Sequence, residues 1–446
     1  MRSTRWKSAA LGAVAVLVFA ACSSSTATPT APPAPATGPA GTPTAAATAA
    51  LSLALKYGVV TGLTGDSATS GQDWNAATKA GVDYINQTLT TMGLSSTISV
   101  QLVDSQDSQG QAAAGVEAAK KLVNVDNVNV VMGDIFSSVT AAVAGSVTIP
   151  AGVVEFTGGT NAALTTVNPP NLPLLFQLPG ADDLQAKVLT QVIATALKPS
   201  AKINVAARND AYGTGLAAQF KNAWTTAGGT IGQYIIYNQD APTLDTEAQQ
   251  AVQGNPDGWL FIDFCPTFQK LLAPLQRTGK WDPKKSFGSD TLRDCATTAG
   301  SQYPNIPGMR ATGADVASGT TVPAYQTFYT KDIGSSPAFQ AWTAEAFDGV
   351  IVSFLAALEA RSTDPTKFAP HIVSLTNPPG TSYTFEQLDK AITDILNGKR
   401  VQYAGVSGPL NFTNSGRAGS SVFDIWQVGS DGKATITSKV TFKSGT

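Results

Sequence analysis

From Leu51 onward, short β-rich apolar runs alternate with stretches of helical periodicity, and this alternation restricts the fold more than any single motif. The run 53–60 reads as a strand. In 72–90 the residues Trp74, Ala77, Gly81, Val82, Ile85 and Leu89 recur on one helical face. A strand over 98–103 ends at Asp104, and a helix over 111–123 follows. Then come a strand at 128–132, a helix at 138–147 and a strand at 152–156. Repeated β-α units of this size predict a parallel sheet covered by helices on both faces. The grammar repeats with helices over 182–197, 215–227, 245–252 and 267–278, and strands over 203–207, 230–237, 258–264 and 285–288. A long helix is expected over 337–361, with Phe339, Trp342, Phe347, Val350, Ile351, Phe354 and Leu358 as its apolar stripe, and another over 385–397. The chain then turns to hairpins, with 408–412 and 421–428 as strands and Asp431-Gly432 as a turn. The stretch 51–446 exceeds one ordinary core, so two α/β lobes are expected.

Two strand-to-helix turns stand out. Gly133-Asp134-Ile135-Phe136-Ser137-Ser138 follows the strand at 128–132, and Gly158-Gly159-Thr160-Asn161 follows the strand at 152–156. Each puts small hydroxyls and flexible backbone where helix N–H groups are unpaired and an anion is favoured. Either turn alone reads as a helix cap. Together, at the carboxyl edge of one parallel sheet, they read as a pocket for a small carboxylate.

The N-terminus carries the marks of export. Arg2, Arg5 and Lys7 precede an apolar stretch over 9–21, which is too short for a comfortable membrane span and reads as a signal peptide over 1–21. Small residues then lead into Cys22, as in a bacterial lipobox whose cysteine is lipidated. Residues 23–50 are Ala, Ser, Thr, Pro, Gly only, so 22–50 is expected to be a disordered tether. Export permits disulfides. Cys265 and Cys295 are the other two of three cysteines, and a bridge between them would add about 3–4 kcal/mol in the chain-entropy model. Two buried free thiols are the alternative.

Several chemistries find no support. Net charge is −2, and no basic patch points to nucleic acid. The one histidine, His371, sits in a Pro-rich stretch read as a loop and cannot make a His-based metal site alone. Gly213-Thr214-Gly215-Leu216-Ala217-Ala218 fits a dinucleotide fingerprint, but the acidic residue expected about twenty positions on is missing. No nucleophile motif or phosphate loop occurs. No catalytic residue, metal or cofactor is assigned, and the chain is not read as an enzyme.

The landmarks come in a telling order: Leu63-Thr64-Gly65, Gly71-Gln72, Asp104, Lys121-Leu122-Val123, Gly133 with Ser137-Ser138 and Thr140, Thr160-Asn161, Asp210-Ala211-Tyr212-Gly213-Thr214-Gly215, Phe347-Asp348, and Gly408-Pro409-Leu410-Asn411-Phe412 with Gly416. In these the chain resembles the type I periplasmic solute-binding proteins of the leucine/isoleucine/valine group, which serve ABC importers. The resemblance spans Leu51 to about Lys433. It implies two Rossmann-like lobes with parallel sheets joined by a three-stranded hinge: lobe one over 51–178 and 316–403, lobe two over 179–315 and 404–446.

The same resemblance implies the ligand contacts. Ser137 matches the hydroxyl that holds a ligand carboxylate. The Gly158 carbonyl and Thr160 match contacts to an amino-acid head group. Tyr212 matches an aromatic that closes from lobe two, and Asp290 an acid facing the ammonium. Phe264 or Cys265 falls near an aromatic wall. Ser70 stands where relatives present an aromatic ring, and Asp263 is a further acid near the cleft, so the tail specificity differs. Phe136 and Trp74 are read as core. The implied protein is a monomeric lipoprotein on the outer face of the cell membrane, anchored at Cys22. It captures a small solute, an amino acid first, and delivers it to an ABC permease. Amides, urea-like compounds or aromatic acids are competing ligands, and sensing without transport is a competing role.

Overall fold

The computed structural model describes residues 51–65, 68–293, 306–314, 320–334 and 342–443. The signal peptide at 1–21, Cys22, the tether at 22–50, Cys295, the boundary at 316, and Pro337 and Phe339 lie outside the described residues.

The first half builds β1 (Leu53–Thr61), α1 (Ala68–Thr91), β2 (Ile98–Asp107), α2 (Ala112–Asn124), β3 (Val130–Met132), α3 (Ser137–Val143), α4 (Ile149–Ala151), β4 (Val154–Thr157) and β5 (Leu175–Gln177). These strands form one parallel sheet in the order β2-β1-β3-β4-β5. The second half builds α5 (Asp182–Ala196), β6 (Lys202–Arg208), α6 (Ala211–Thr226), β7 (Thr230–Tyr237), α7 (Asp245–Ala251), β8 (Gly258–Ile262), α8 (Cys265–Arg277), β9 (Ser286–Gly288) and β10 (Arg310–Ala314). Helices Val322–Ile333, Thr343–Ala360, Pro365–Leu375 and Leu388–Leu396 follow, with the short parallel pair β11 (Thr381–Tyr383) and β12 (Val401–Tyr403). The chain closes with the hairpin β13 (Ser420–Val428) and β14 (Ala434–Lys443).

The second sheet runs β7-β6-β8-β9-β10 in parallel and is extended by antiparallel β13 and β14. Its parallel part repeats the strand order of the first sheet. In each, the order reverses beside the first strand, which is where doubly wound sheets open a crevice for ligand.

Packing explains the element choice. The helix Thr343–Ala360 is buried along nearly its whole length and lies on α1. Gly81 permits that approach, because a Cβ there would meet Val350 at 2.9 Å. Trp74, Met132, Phe156, Phe347 and Ile351 are buried in the same core. On the same helix, Asp348 accepts from the Tyr403 hydroxyl (2.6 Å), the Val406 and Ser407 backbone N–H groups (2.9 and 2.8 Å) and the Ser407 hydroxyl (2.6 Å). One carboxylate thereby anchors the chain leaving β12 for the second sheet.

Several sequence expectations are corrected. The strand expected to stop at Asp104 runs to Asp107, because its polar end sits on an edge strand and still pairs with Gly58–Thr61 of β1. The helix expected at 138–147 begins at Ser137, loosens into a π turn over Ala144–Thr148 and ends at left-handed Gly152. In the long helix, Trp342 is the N-cap, in left-handed backbone geometry, so the described helix starts at Thr343. The helix expected at 385–397 is a 3-10 turn over Phe385–Gln387 followed by Leu388–Leu396. His371 lies in the helix Pro365–Leu375, because Pro365 occupies the first turn, where its missing N–H costs nothing. The segment 408–412 contributes one bridge, Phe412 to Ala418, rather than a hairpin strand.

Candidate functional site

The two turns meet at the carboxyl ends of β3 and β4. The Asn161 N–H donates to the Ser137 hydroxyl (3.1 Å), which ties one turn to the other. Beneath them, the Thr140 and Thr157 hydroxyls bond each other (2.7 Å), and both reach the Asp134 carbonyl. Asp134 accepts from the Phe136 N–H (2.7 Å) and the Ser108 hydroxyl. Gln177 donates to the Gly159 and Asn161 carbonyls (2.9 and 3.1 Å). The two turns are therefore braced from behind by hydrogen bonds that fix their shape. Ser137 and Thr160 are buried.

Across from this turn stands the end of the second sheet. Asn161 donates to the Ala211 carbonyl at the start of α6, and the Phe136 ring lies 4.8 Å from that of Phe264. Phe136, expected as core, is buried and also forms this contact between lobes. Phe264 further meets Tyr212 (5.5 Å between centroids) and the Arg208 guanidinium (4.2 Å). The Tyr212 hydroxyl donates to Asp290, which also accepts from Gln185 (3.2 Å). Tyr212, Phe264 and Asp290 are thus one cluster. Burial raises the Asp290 carboxyl above its ordinary range, while Tyr212 and Gln185 pull it back.

Asp263 is buried, accepts from the Tyr237 hydroxyl and the Phe264 N–H (2.8 Å), and lies 3.8 Å from Arg208. Burial pushes it up to about 7, against the Arg208 charge. Its charge is committed within lobe two. Ser70 is buried in the first turn of α1, and Cys265 opens α8 next to Phe264.

Two residues escaped the sequence reading. Asp182, read as an ordinary helix start, is fully buried, and among the described residues neither carboxylate oxygen has a partner at hydrogen-bond distance. Burial raises its pKa well above the ordinary value, the Thr160 hydroxyl beside it eases the charge, and Asp290, Asp183 and Asp210 raise it further. Among the described residues Asp182 makes no salt bridge. Arg208 is the second: it is buried, paired with Asp210 and stacked on Phe264. A cation at the end of an apolar strand was the available signal. For Asp182 the signal was an acid just past Pro179-Gly180, where the chain leaves the first lobe.

A family model described as periplasmic binding protein matches residues 54–433. The chain belongs to the periplasmic binding protein family. Solved structures agree on the fold. A leucine-binding protein from Thermotoga maritima is 17% identical, with a TM-score of 0.67, covering 86% of this chain and 98% of its own. A branched-chain amino acid transporter substrate-binding protein from Streptococcus pneumoniae, solved with isoleucine, is 17% identical, with a TM-score of 0.66 and coverage of 87% and 99%. An ABC transporter solute-binding protein from R. palustris, solved with 4-hydroxybenzoate, is 15% identical, with a TM-score of 0.68 and coverage of 88% and 98%. No curated protein sequence matches. In this binding protein the described residues include no group of three or more His, Cys, Asp or Glu able to hold a metal, and no helix long and apolar enough to cross a membrane.

Proposed function

We propose that this periplasmic binding protein captures a small solute with a carboxylate and an ammonium, an amino acid, between its two lobes for an ABC permease. The observation that carries this reading is the buried pair Asp182 and Asp290 beside Thr160, with no cation paired to either among the described residues. A desolvated carboxylate with no partner is costly, and an ammonium arriving between the lobes would relieve it. Ser137 and the braced turn would take the carboxylate, while the Gly158 carbonyl and Thr160 would take the ammonium. Tyr212, Asp290 and Phe264 would close from lobe two, and the crossing segments would absorb the motion. Ser70 would border the tail.

Two of the three solved structures named above hold a ligand, isoleucine in one and 4-hydroxybenzoate in the other. An aromatic acid is therefore the second reading, favoured by the ring cluster of Phe136, Phe264 and Tyr212. We also propose export by the 1–21 signal, anchoring at Cys22 on the outer face of the cell membrane through the 22–50 tether, a monomeric state, and a Cys265–Cys295 bridge. A thermal-shift screen over amino acids, amides and aromatic acids tests the ligand class, since bound ligand raises stability with its affinity. The expected result is a rise with amino acids. A rise confined to aromatic acids would replace this reading with the second.

A further inference from the structure

We infer that Trp342 is a specificity-determining residue whose indole N–H requires a hydrogen-bond acceptor on the ligand's tail. The inference rests on the reading that the head group docks at Ser137, Gly158 and Thr160. Trp342 caps the helix Thr343–Ala360 in left-handed geometry, with φ of 81°. A bulky aromatic rarely adopts that region, so the surrounding structure holds it there. The result is that the Cδ1 edge of its indole sits beside Gly158, 3.3 Å from where a Cβ would stand. Nε1 is bonded to Cδ1, so the indole N–H lies one bond from that contact with Gly158.

That Nε1 is buried and has no hydrogen-bond partner among the described residues. Buried indole N–H groups usually find an acceptor, and leaving one unpaired is costly. Trp74 also approaches Gly158, but with Cζ3, which puts its own N–H on the far side of its ring. The Trp74 Nε1 is also unpartnered among the described residues, but of the two indoles only Trp342 has its N–H end next to Gly158. Gly158 carries no side chain, and Ile135, 3.0 Å from the same Cβ position, is apolar. A purely aliphatic tail would leave the indole unsatisfied. A tail with a carbonyl or carboxylate oxygen would not, and a site built around such a donor discriminates against the analogue that lacks the acceptor.

The test uses the full-length protein and Trp342→Phe, which keeps an aromatic ring and removes the donor. Calorimetry is run with the near-isosteric pairs leucine and asparagine, methionine and glutamine, and with benzoate and 4-hydroxybenzoate. The expected result is an acceptor-tailed amino acid binding at least about tenfold tighter than its apolar partner, with that preference falling to near unity in the variant. A downfield shift of the Trp342 indole proton on adding that ligand, assigned by its absence in Trp342→Phe, supplies a readout that does not depend on the variant's fold. Equal or tighter binding of the apolar members by the native protein would overturn the inference. So would an equal loss for both members of a pair in the variant. If no amino acid binds, the head-group reading fails on its own, and Trp342 is judged by the same criterion on the benzoate pair.

Discussion

The two lobes share a strand order yet face each other with surfaces of opposite character. Lobe one offers a neutral turn whose hydroxyls and carbonyls are engaged with one another through Ser137, Thr140, Thr157 and Gln177. Its buried acids are Asp134, within the first turn and engaged with Ser108 and the Phe136 N–H, and Glu155 on β4. Lobe two and the crossing into it offer charge and rings: Asp182, Arg208, Asp210, Asp290, Tyr212 and Phe264. A rigid neutral half can define where a head group sits without choosing among solutes. Under the proposed function the charged half would decide which charge is accepted, because an unpaired carboxylate out of water is worth far more than one at a surface.

This contrast is open to attack at its strongest point first. Asp182→Asn keeps the shape and removes the charge. Losing one member of a buried charge pair costs about 2–5 kcal/mol, so amino-acid affinity should fall by at least about thirtyfold in calorimetry. Binding of an aromatic acid such as 4-hydroxybenzoate should hold or improve in the same variant. Unchanged amino-acid affinity would remove Asp182 from the site.

Asp290→Ala should act more weakly, because Tyr212 and Gln185 already share that carboxylate. A loss of at least about tenfold, near 1.4 kcal/mol, is expected, read by the same titration. No loss would confine Asp290 to holding Tyr212.

On the lobe-one side the effect should appear in stability. Glu155 is fully buried, one oxygen accepts from Thr148, and the other has no partner among the described residues. Burial pushes its pKa up to about 8, and that of Asp134 up to about 7. Both folded values lie above the unfolded ones, so the folded state binds the extra protons. The stability this gives is present in acid and is lost as pH rises from about 4 through 8. Glu155→Gln should therefore gain stability at pH 8, by about 1–3 kcal/mol, and gain little at pH 4. Denaturant melts at the two pH values read this directly. An equal change at both would mean that Glu155 does not titrate in this window.

Much of the architecture was legible because strands and helices alternate with clear periods. The β-α units and the terminal hairpin follow from Val, Ile and Leu runs and from Asp431-Gly432. The limits of the elements were less legible. The polar end of β2 is held by an edge pairing that no hydrophobic pattern records. At the site, the two turns could be read because Gly, Ser and Thr cluster at strand ends. Asp182 could not, since an acid in the first turn of a helix normally answers the dipole. Only the fold shows that this one is buried next to Thr160. Trp342 reads as one more member of an apolar stripe, and its left-handed backbone has no signature in the residues around it.

The central claim is that an unpaired carboxylate in the charged half receives a cationic head group. Burial holds Asp182 well above its ordinary pKa, so it must give up a proton to pair with an ammonium. The direct measurement is calorimetric titration of the tightest amino acid found, from pH 5 to pH 8, in buffers of different ionisation enthalpy. The account predicts affinity that rises with pH, by about tenfold per unit where one proton is lost, together with proton release to the buffer. Affinity that is flat across that range, with no proton released, would contradict it.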